Sequence, residues 1–169
     1  HPTRPLAFWI RYTLFSPAGR PAEASGELWA IWFDGESGRH TAVRQEFPQG
    51  QWAFRQDSFG AQIGAATLAE EALRGQAAGQ GHTMAWELTF AGGQEPLLLL
   101  PARLYEGGFP KAKSLVGRPL AVYEGALTVD GKTLPIEGWV GSQNHNWGAR
   151  HTDRYAWGQV AGFDNAPDS

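Results

Sequence analysis

Apolar and polar residues alternate along this chain with a period of two, in runs of eight to ten residues that turn-forming residues cut short. The cleanest run is Thr83 to Phe90, where Met84, Trp86, Leu88 and Phe90 alternate with Thr83, Ala85, Glu87 and Thr89. Successive side chains of a strand point to opposite faces, so such a run predicts a half-buried strand. Leu6 to Phe15 repeats the pattern, with Phe8, Ile10, Tyr12 and Leu14 against Trp9, Arg11 and Thr13. His40 to Phe47 and Leu120 to Val129 do the same, and Glu27 to Phe33 is so apolar that it predicts a strand covered on both faces.

The breaks between runs carry turn chemistry. Ser16-Pro17-Ala18-Gly19-Arg20-Pro21, Asp34-Gly35, Gly79-Gln80-Gly81 and Asp130-Gly131 stand between strands, and the last is a strong hairpin signal leading into a strand over Thr133 to Trp139. The first three strands on short turns predict a meander. Other segments are less regular. Gln51 to Phe59 reads as an anchored loop or irregular strand, and Ala61 to Gln76, which has good helix formers but no helical stripe, is expected as a strand. Leu97 to Leu100, between Pro96 and Pro101, predicts a short buried strand or crossing segment, and Tyr105 to Pro110 a loop. Lys111 and Lys113 form the only basic cluster, expected at a solvated edge. The chain is all-β by this reading, with roughly nine or ten strands spaced as in a barrel or a sandwich.

Composition narrows the function. At 169 residues the chain suits a single domain over 1–169. Its 42% hydrophobic and 18% charged residues argue against disorder. A net charge of −3 with no Lys or Arg run argues against nucleic acid as a partner. Without cysteine there is no disulfide, no thiolate nucleophile and no cysteine-ligated metal. Four leucines in a row fall far short of the ~20 residues of a spanning segment, so a soluble protein is expected. The start, His1-Pro2-Thr3-Arg4-Pro5, has no signal peptide and no initiator Met, which suggests a processed chain or an interior piece.

Gly138 to Phe163 concentrates the chemistry. It sets Trp139, Trp147 and Trp157 beside His145, His151, Asp153, Tyr155, Asn144, Asn146 and Gln159. Large apolar faces among proton-handling groups suit either a strand pair with paired polar tips or the wall of a ligand cavity. His145, His151 and Asp153 match no recognised metal spacing, and Ser142 lacks a nucleophile-elbow signature. With no Rossmann or phosphate-loop glycines either, no cofactor is expected. Acid chemistry on an apolar ligand is more coherent, since an apolar cavity keeps a carboxyl protonated and aromatic faces stabilise a developing cation. The candidates are His145, Asp153 and Tyr155 as proton-handling groups, with Trp139, Asn144, Asn146, Trp147, Trp157 and Gln159 as ligand-binding groups. The plainer fate of Asp153 is an ion pair with Arg150 or Arg154.

Taken in order, Phe8-Trp9-Ile10-Arg11-Tyr12-Thr13, Gly26-Glu27-Leu28-Trp29-Ala30, Trp32-Phe33-Asp34, Phe109-Pro110-Lys111-Ala112-Lys113, His145-Asn146-Trp147-Gly148, Tyr155-Ala156-Trp157-Gly158-Gln159 and Gly162-Phe163 resemble the N-terminal half of the carotenoid hydratase, AttH-like and tocopherol cyclase superfamily. The resemblance implies a lipocalin-like antiparallel β-barrel, a second lipocalin-like domain packed against it in a longer protein, and an extended lipid, isoprenoid or polyene ligand. In the hydratase and cyclase branches it implies protonation of a double bond. It places the site region at His145-Asn146-Trp147-Gly148 with Tyr155 and Trp157. Two readings stand beside it: a carbohydrate-binding β-sandwich, and an interaction module without a small ligand. The tryptophans separate them, by lining a cavity, forming an exposed row, or packing solidly.

Overall fold

The structure is a computed structural model, and it describes residues 1–92, 95–150, 154–156, 158–160 and 165. The chain is all-β and falls into two compact units. One comprises His1–Phe90 with Tyr123–Trp139, the other Ala91–Val122 with Val140–Ser169.

In the first unit, β1 (Leu6–Phe15), β2 (Ser25–Asp34) and β3 (Arg39–Phe47) form the expected antiparallel meander, in spatial order β1-β2-β3. The register pairs Phe8 with Trp32 and Tyr12 with Leu28, so the apolar sets share one face. On that face Leu28, Ala30, Trp32 and Val43 are buried. The expectation that both faces of β2 are covered holds for this face alone, because Trp29, Ile31 and Phe33 opposite are only half-buried.

β4 (Trp52–Phe54), β5 (Ala61–Ile63), β6 (Ala66–Leu68), β7 (Ala72–Gly79) and β8 (His82–Ala91) follow. The segment from Ala61 to Gln76 is therefore three short strands where one was expected. Gly64, at φ +57, turns β5 back on β6, a conformation that glycine adopts at little cost. A bond from the Ala69 N–H to the Ala72 carbonyl, 2.8 Å, closes the next reversal. Two tight turns replace the continuous alternation that a single strand needs.

β8 carries the core as its alternation predicts, with Met84, Trp86, Leu88 and Phe90 at most 3% exposed. Two long strands complete the sheet, β10 (Ala112–Val129) and β11 (Lys132–Gly148). Asp130 and Gly131 join them with positive φ at both positions, as a type I′ hairpin requires. The Asp130 carboxylate accepts the Thr83 N–H at 2.9 Å and meets the His82 ring at 2.7 Å, which ties this hairpin to the β7–β8 turn. The order of this sheet is β11-β10-β8-β7-β6-β5-β4.

The second unit holds β9 (Leu97–Leu98), one turn of helix α1 (Arg103–Glu106), residues 112–122 of β10 and residues 140–148 of β11. β9 pairs with β10 through Leu98 and Leu115 and through Leu97 and Val116. The expected burial here is not found. Leu97, Leu98 and Leu99 are about half exposed, at 51%, 47% and 48%, because two residues of pairing along one margin leave their faces open. Tyr105, expected in a loop, lies on α1, and Lys113, expected at a solvated edge, is buried. Among the described residues no helix is long and apolar enough to cross a membrane.

Candidate functional site

The strand that carries the predicted site residues changes character at Gly138. Its φ is +64 and its N–H donates to Glu124 Oε1 at 2.9 Å. Ile136 and Trp139 are both buried despite opposite parity, so the strand holds a bulge at this point that re-aims the residues beyond it.

Trp139 accordingly belongs to the aromatic core of the first unit. Its ring lies 6.0 Å from Trp32 and 5.8 Å from Phe8, and meets the His1 ring edge-on at 5.0 Å. Beside it is a cleft of 170 Å³, lined by Trp139, Trp32, Leu6 and Leu134 with the polar Arg4 and Glu137 among others.

His145 and Trp147 lie in the second unit. Two residues apart on one strand, they share a face, and their rings stack at 4.9 Å and 27°. Trp147 also stacks on Tyr105, at 5.7 Å and 29°, so three rings form a column. Tyr105 is fixed at both ends. Its hydroxyl accepts the N–H groups of Leu99 and Leu100 at 3.0 and 3.2 Å and donates to the Ser114 carbonyl at 2.8 Å. The Lys113 ammonium donates to the Tyr105 carbonyl at 3.0 Å and to the Gly107 carbonyl. A bond from the Ala149 N–H to the Lys111 carbonyl, 2.9 Å, pins the chain just beyond the column.

The electrostatics of the column favour a neutral imidazole. Desolvation lowers the pKa of His145 from its ordinary 6.5, even though the residue keeps an exposed side. Stacking on Trp147 removes water from one ring face. At neutral pH this shift favours the uncharged ring, which both accepts and donates a hydrogen bond.

The other predicted residues are more dispersed. Asn144 and Asn146 alternate with His145 and Trp147 and so face the other way; Asn144 Nδ2 donates to Ser142 Oγ at 2.9 Å, and Asn146 is exposed. Gln159 Nε2 donates to the Pro119 carbonyl at 3.4 Å, and Tyr155 is 70% exposed. Asp153 and Trp157 lie outside the described residues. The fold thus brings His145 and Trp147 together and assigns Trp139 to a different unit. Among the described residues, no group of three or more metal-ligating side chains is assembled.

Sequence reading missed Tyr105 and Lys113. Tyr105 reaches Trp147 from about forty positions away through the pairing of β10 and β11, which no local pattern announces. Nothing in a two-lysine cluster separates its buried member from its exposed one.

No protein-family model matches the chain, and no solved structure matches it at a significant level. Two curated proteins of Mycobacterium tuberculosis are similar to it: the uncharacterized protein MT0513 of strain CDC 1551 / Oshkosh and the uncharacterized protein Rv0493c of strain H37Rv. Each is 30% identical over 79 residues, which is 47% of this chain and 24% of the relative. The matched stretch is thus about a quarter of the length of these curated relatives.

Proposed function

We propose that this chain is a lipocalin-like β domain that binds an extended apolar ligand, with its contact surface at the ring column of His145, Trp147 and Tyr105. The observation that carries this reading is the column itself: three stacked rings, braced by Lys113 and by the backbone of Leu99 and Leu100, in a unit that leaves Leu97, Leu98, Leu99, Phe109 and Val140 about half exposed or more. Apolar surface rimmed by polar groups marks ligand or partner contact. The hairpin-linked antiparallel strands supply the up-and-down connectivity of a lipocalin-like barrel.

The alternative place for the ligand is the cleft beside Trp139, but 170 Å³ is less than the ~300–1,000 Å³ of pockets that enclose a drug-sized molecule. The ring column is open and imposes no such limit. In this reading Tyr155 and Gln159 belong to the rim. In a hydratase or cyclase the proton for a double bond comes from an acid. A neutral His145 is suited instead to hold the ligand or a water. The greater length of the mycobacterial relatives supports a second lipocalin-like domain beside this one.

The test is a titration of the full chain with retinol, a long-chain fatty acid and a carotenoid, followed by tryptophan fluorescence. Saturable quenching that Trp147→Ala abolishes and Trp9→Ala leaves intact is the expected result. Quenching that survives Trp147→Ala removes the column from the site, and no response to any apolar probe rejects the reading.

A further inference from the structure

The face of the β1–β2–β3 meander that turns away from the core has the composition of a binding surface. Cross-strand partners share a face, and the register places Trp9 beside Ile31 and aligns Arg11, Trp29 and Arg44 in one row across the three strands and Thr13, Glu27 and Glu46 in another. An outward face of a sheet is ordinarily polar. This one carries Trp9, 40% exposed, and Phe15, 55% exposed, with Trp29 half-buried between the arginines.

Its polar groups are planar and held in place. Glu27, a buried carboxylate, accepts the Trp29 indole N–H at 2.8 Å and Arg44 at 2.7 Å. Arg44 also meets Glu46 at 2.6 Å and lies over the Trp29 ring at 4.8 Å. Glu27 and Glu46 are directly opposed across the strands, a repulsive arrangement that the shared Arg44 relieves. At the end of this face lies an open cleft of 390 Å³, lined by Phe15, Pro17, Arg20, Ser25, Glu27 and Arg44 among others. That volume is within the ~300–1,000 Å³ of small-molecule pockets. Thr13 Oγ1, opposite Glu27, is buried without a hydrogen-bond partner among the described residues.

We propose that this face and its cleft form a binding site for a neutral saccharide chain, separate from the apolar-ligand site. The charges select the class. Arg44 is matched by Glu27 and Glu46, and Arg20 by Glu23 at 2.8 Å, so a charged ligand at either arginine must break an ion pair to gain one, while Arg11 on the same face is left as a donor for hydroxyl groups. A polyol does not. Its hydroxyl groups use the unfilled lone pairs of the carboxylates and the remaining guanidinium donors. Its C–H faces cover exposed rings such as Trp9 and Phe15, flat side chains with few torsions to fix.

The experiment titrates the full chain with cellopentaose, xylopentaose, maltopentaose and chitopentaose, and with polygalacturonate and spermine as charged controls, by calorimetry and tryptophan fluorescence. At least one neutral oligosaccharide binds saturably, and Trp9→Ala and Phe15→Ala each weaken it about tenfold or more while Trp147→Ala does not. Both replaced side chains are exposed, so near-ultraviolet circular dichroism is expected to report an unchanged fold. Glu46→Gln gives a second reading, since it weakens sugar binding while leaving the aromatic surface intact. Absence of binding by all four neutral sugars, binding by the charged probes alone, or sugar binding indifferent to Trp9 and Phe15 each overturns the proposal. Loss of apolar-ligand binding in Trp147→Ala bears on the other site only, so the two readings fail independently.

Discussion

Lys113 directs its buried ammonium at the backbone carbonyl of Tyr105, 3.0 Å away, and by doing so fixes the base of the aromatic column. A buried ammonium is retained only where its donors are used, and here they fasten the turn from α1 to Gly107 against β10. Lys113→Met keeps the length of the stem and removes the donors. The variant is expected to lose about 1–3 kcal/mol of stability, the cost of leaving buried carbonyls unpartnered. Weakened near-ultraviolet circular dichroism from the Tyr105 and Trp147 rings is the accompanying signal. An unchanged melting curve and spectrum would remove the clamp.

A long-range contact supports the core of the first unit. The Trp86 indole donates to the Tyr12 hydroxyl at 3.0 Å, and that hydroxyl lies 2.9 and 3.1 Å from the carbonyls of Thr67 and Arg74. Burial pushes the Tyr12 pKa up to about 12, against 10.0 for a free phenol, with the bond from Trp86 opposing the rise. A folded pKa above the unfolded one means that stability present below pH 10 is lost as pH rises towards 12. The loss is on the order of 2 kcal/mol. Tyr12→Phe should flatten this alkaline slope in melting experiments, and should cost about 1–3 kcal/mol at neutral pH by stranding the Trp86 N–H.

His145 titrates in the opposite sense. With its folded pKa below 6.5, the unfolded chain takes up the proton first, so stability declines as pH falls from 6.5 through the lower folded value. His145→Phe keeps a ring on Trp147 and cannot titrate. Comparing melting temperatures between pH 7 and pH 5, the wild type should lose more than the variant. Equal losses would show that this imidazole is not desolvated.

Trp52 offers a contrasting case. Its indole N–H is buried without a hydrogen-bond partner among the described residues. The ring lies over Gly26, where an added Cβ would come within 2.8 Å of the Trp52 Cβ. Trp52→Phe discards the unsatisfied donor and gives up some packing, so the two effects oppose each other. A change within about 1 kcal/mol is expected by chemical denaturation. A loss above about 3 kcal/mol would show that lost packing outweighs the discarded donor. Gly26→Ala has no such compensation and should be strongly destabilising.

The period-two pattern and the turn residues were enough to determine most of the strands on their own. Leu6–Phe15, the strand around Glu27–Phe33, the run ending at Phe47 and the Asp130-Gly131 hairpin are local phenomena, in which alternating side chains and positive-φ turns act within a few residues. The stack of His145 on Trp147 became legible only with the strand itself, which runs on to Gly148 where the local pattern was expected to end at Trp139. Tertiary structure decided the rest. Trp139, next to the positive-φ Gly138, ends the part of this strand that belongs to the first unit, whereas His145 and Trp147 belong to the second, a division that parity alone misses. The pairing of β10 with β11 brought Tyr105 to Trp147, and the fold of the α1 turn back onto β10 made Lys113, an expected surface charge, a buried clamp. Exposure of the leucines of β9 and the outward row of Trp9, Trp29 and Phe15 depend on which side of a sheet remains uncovered. Those outcomes rest on how elements pack against one another, mostly through residues far apart in the chain, and a local pattern constrains only what a strand presents.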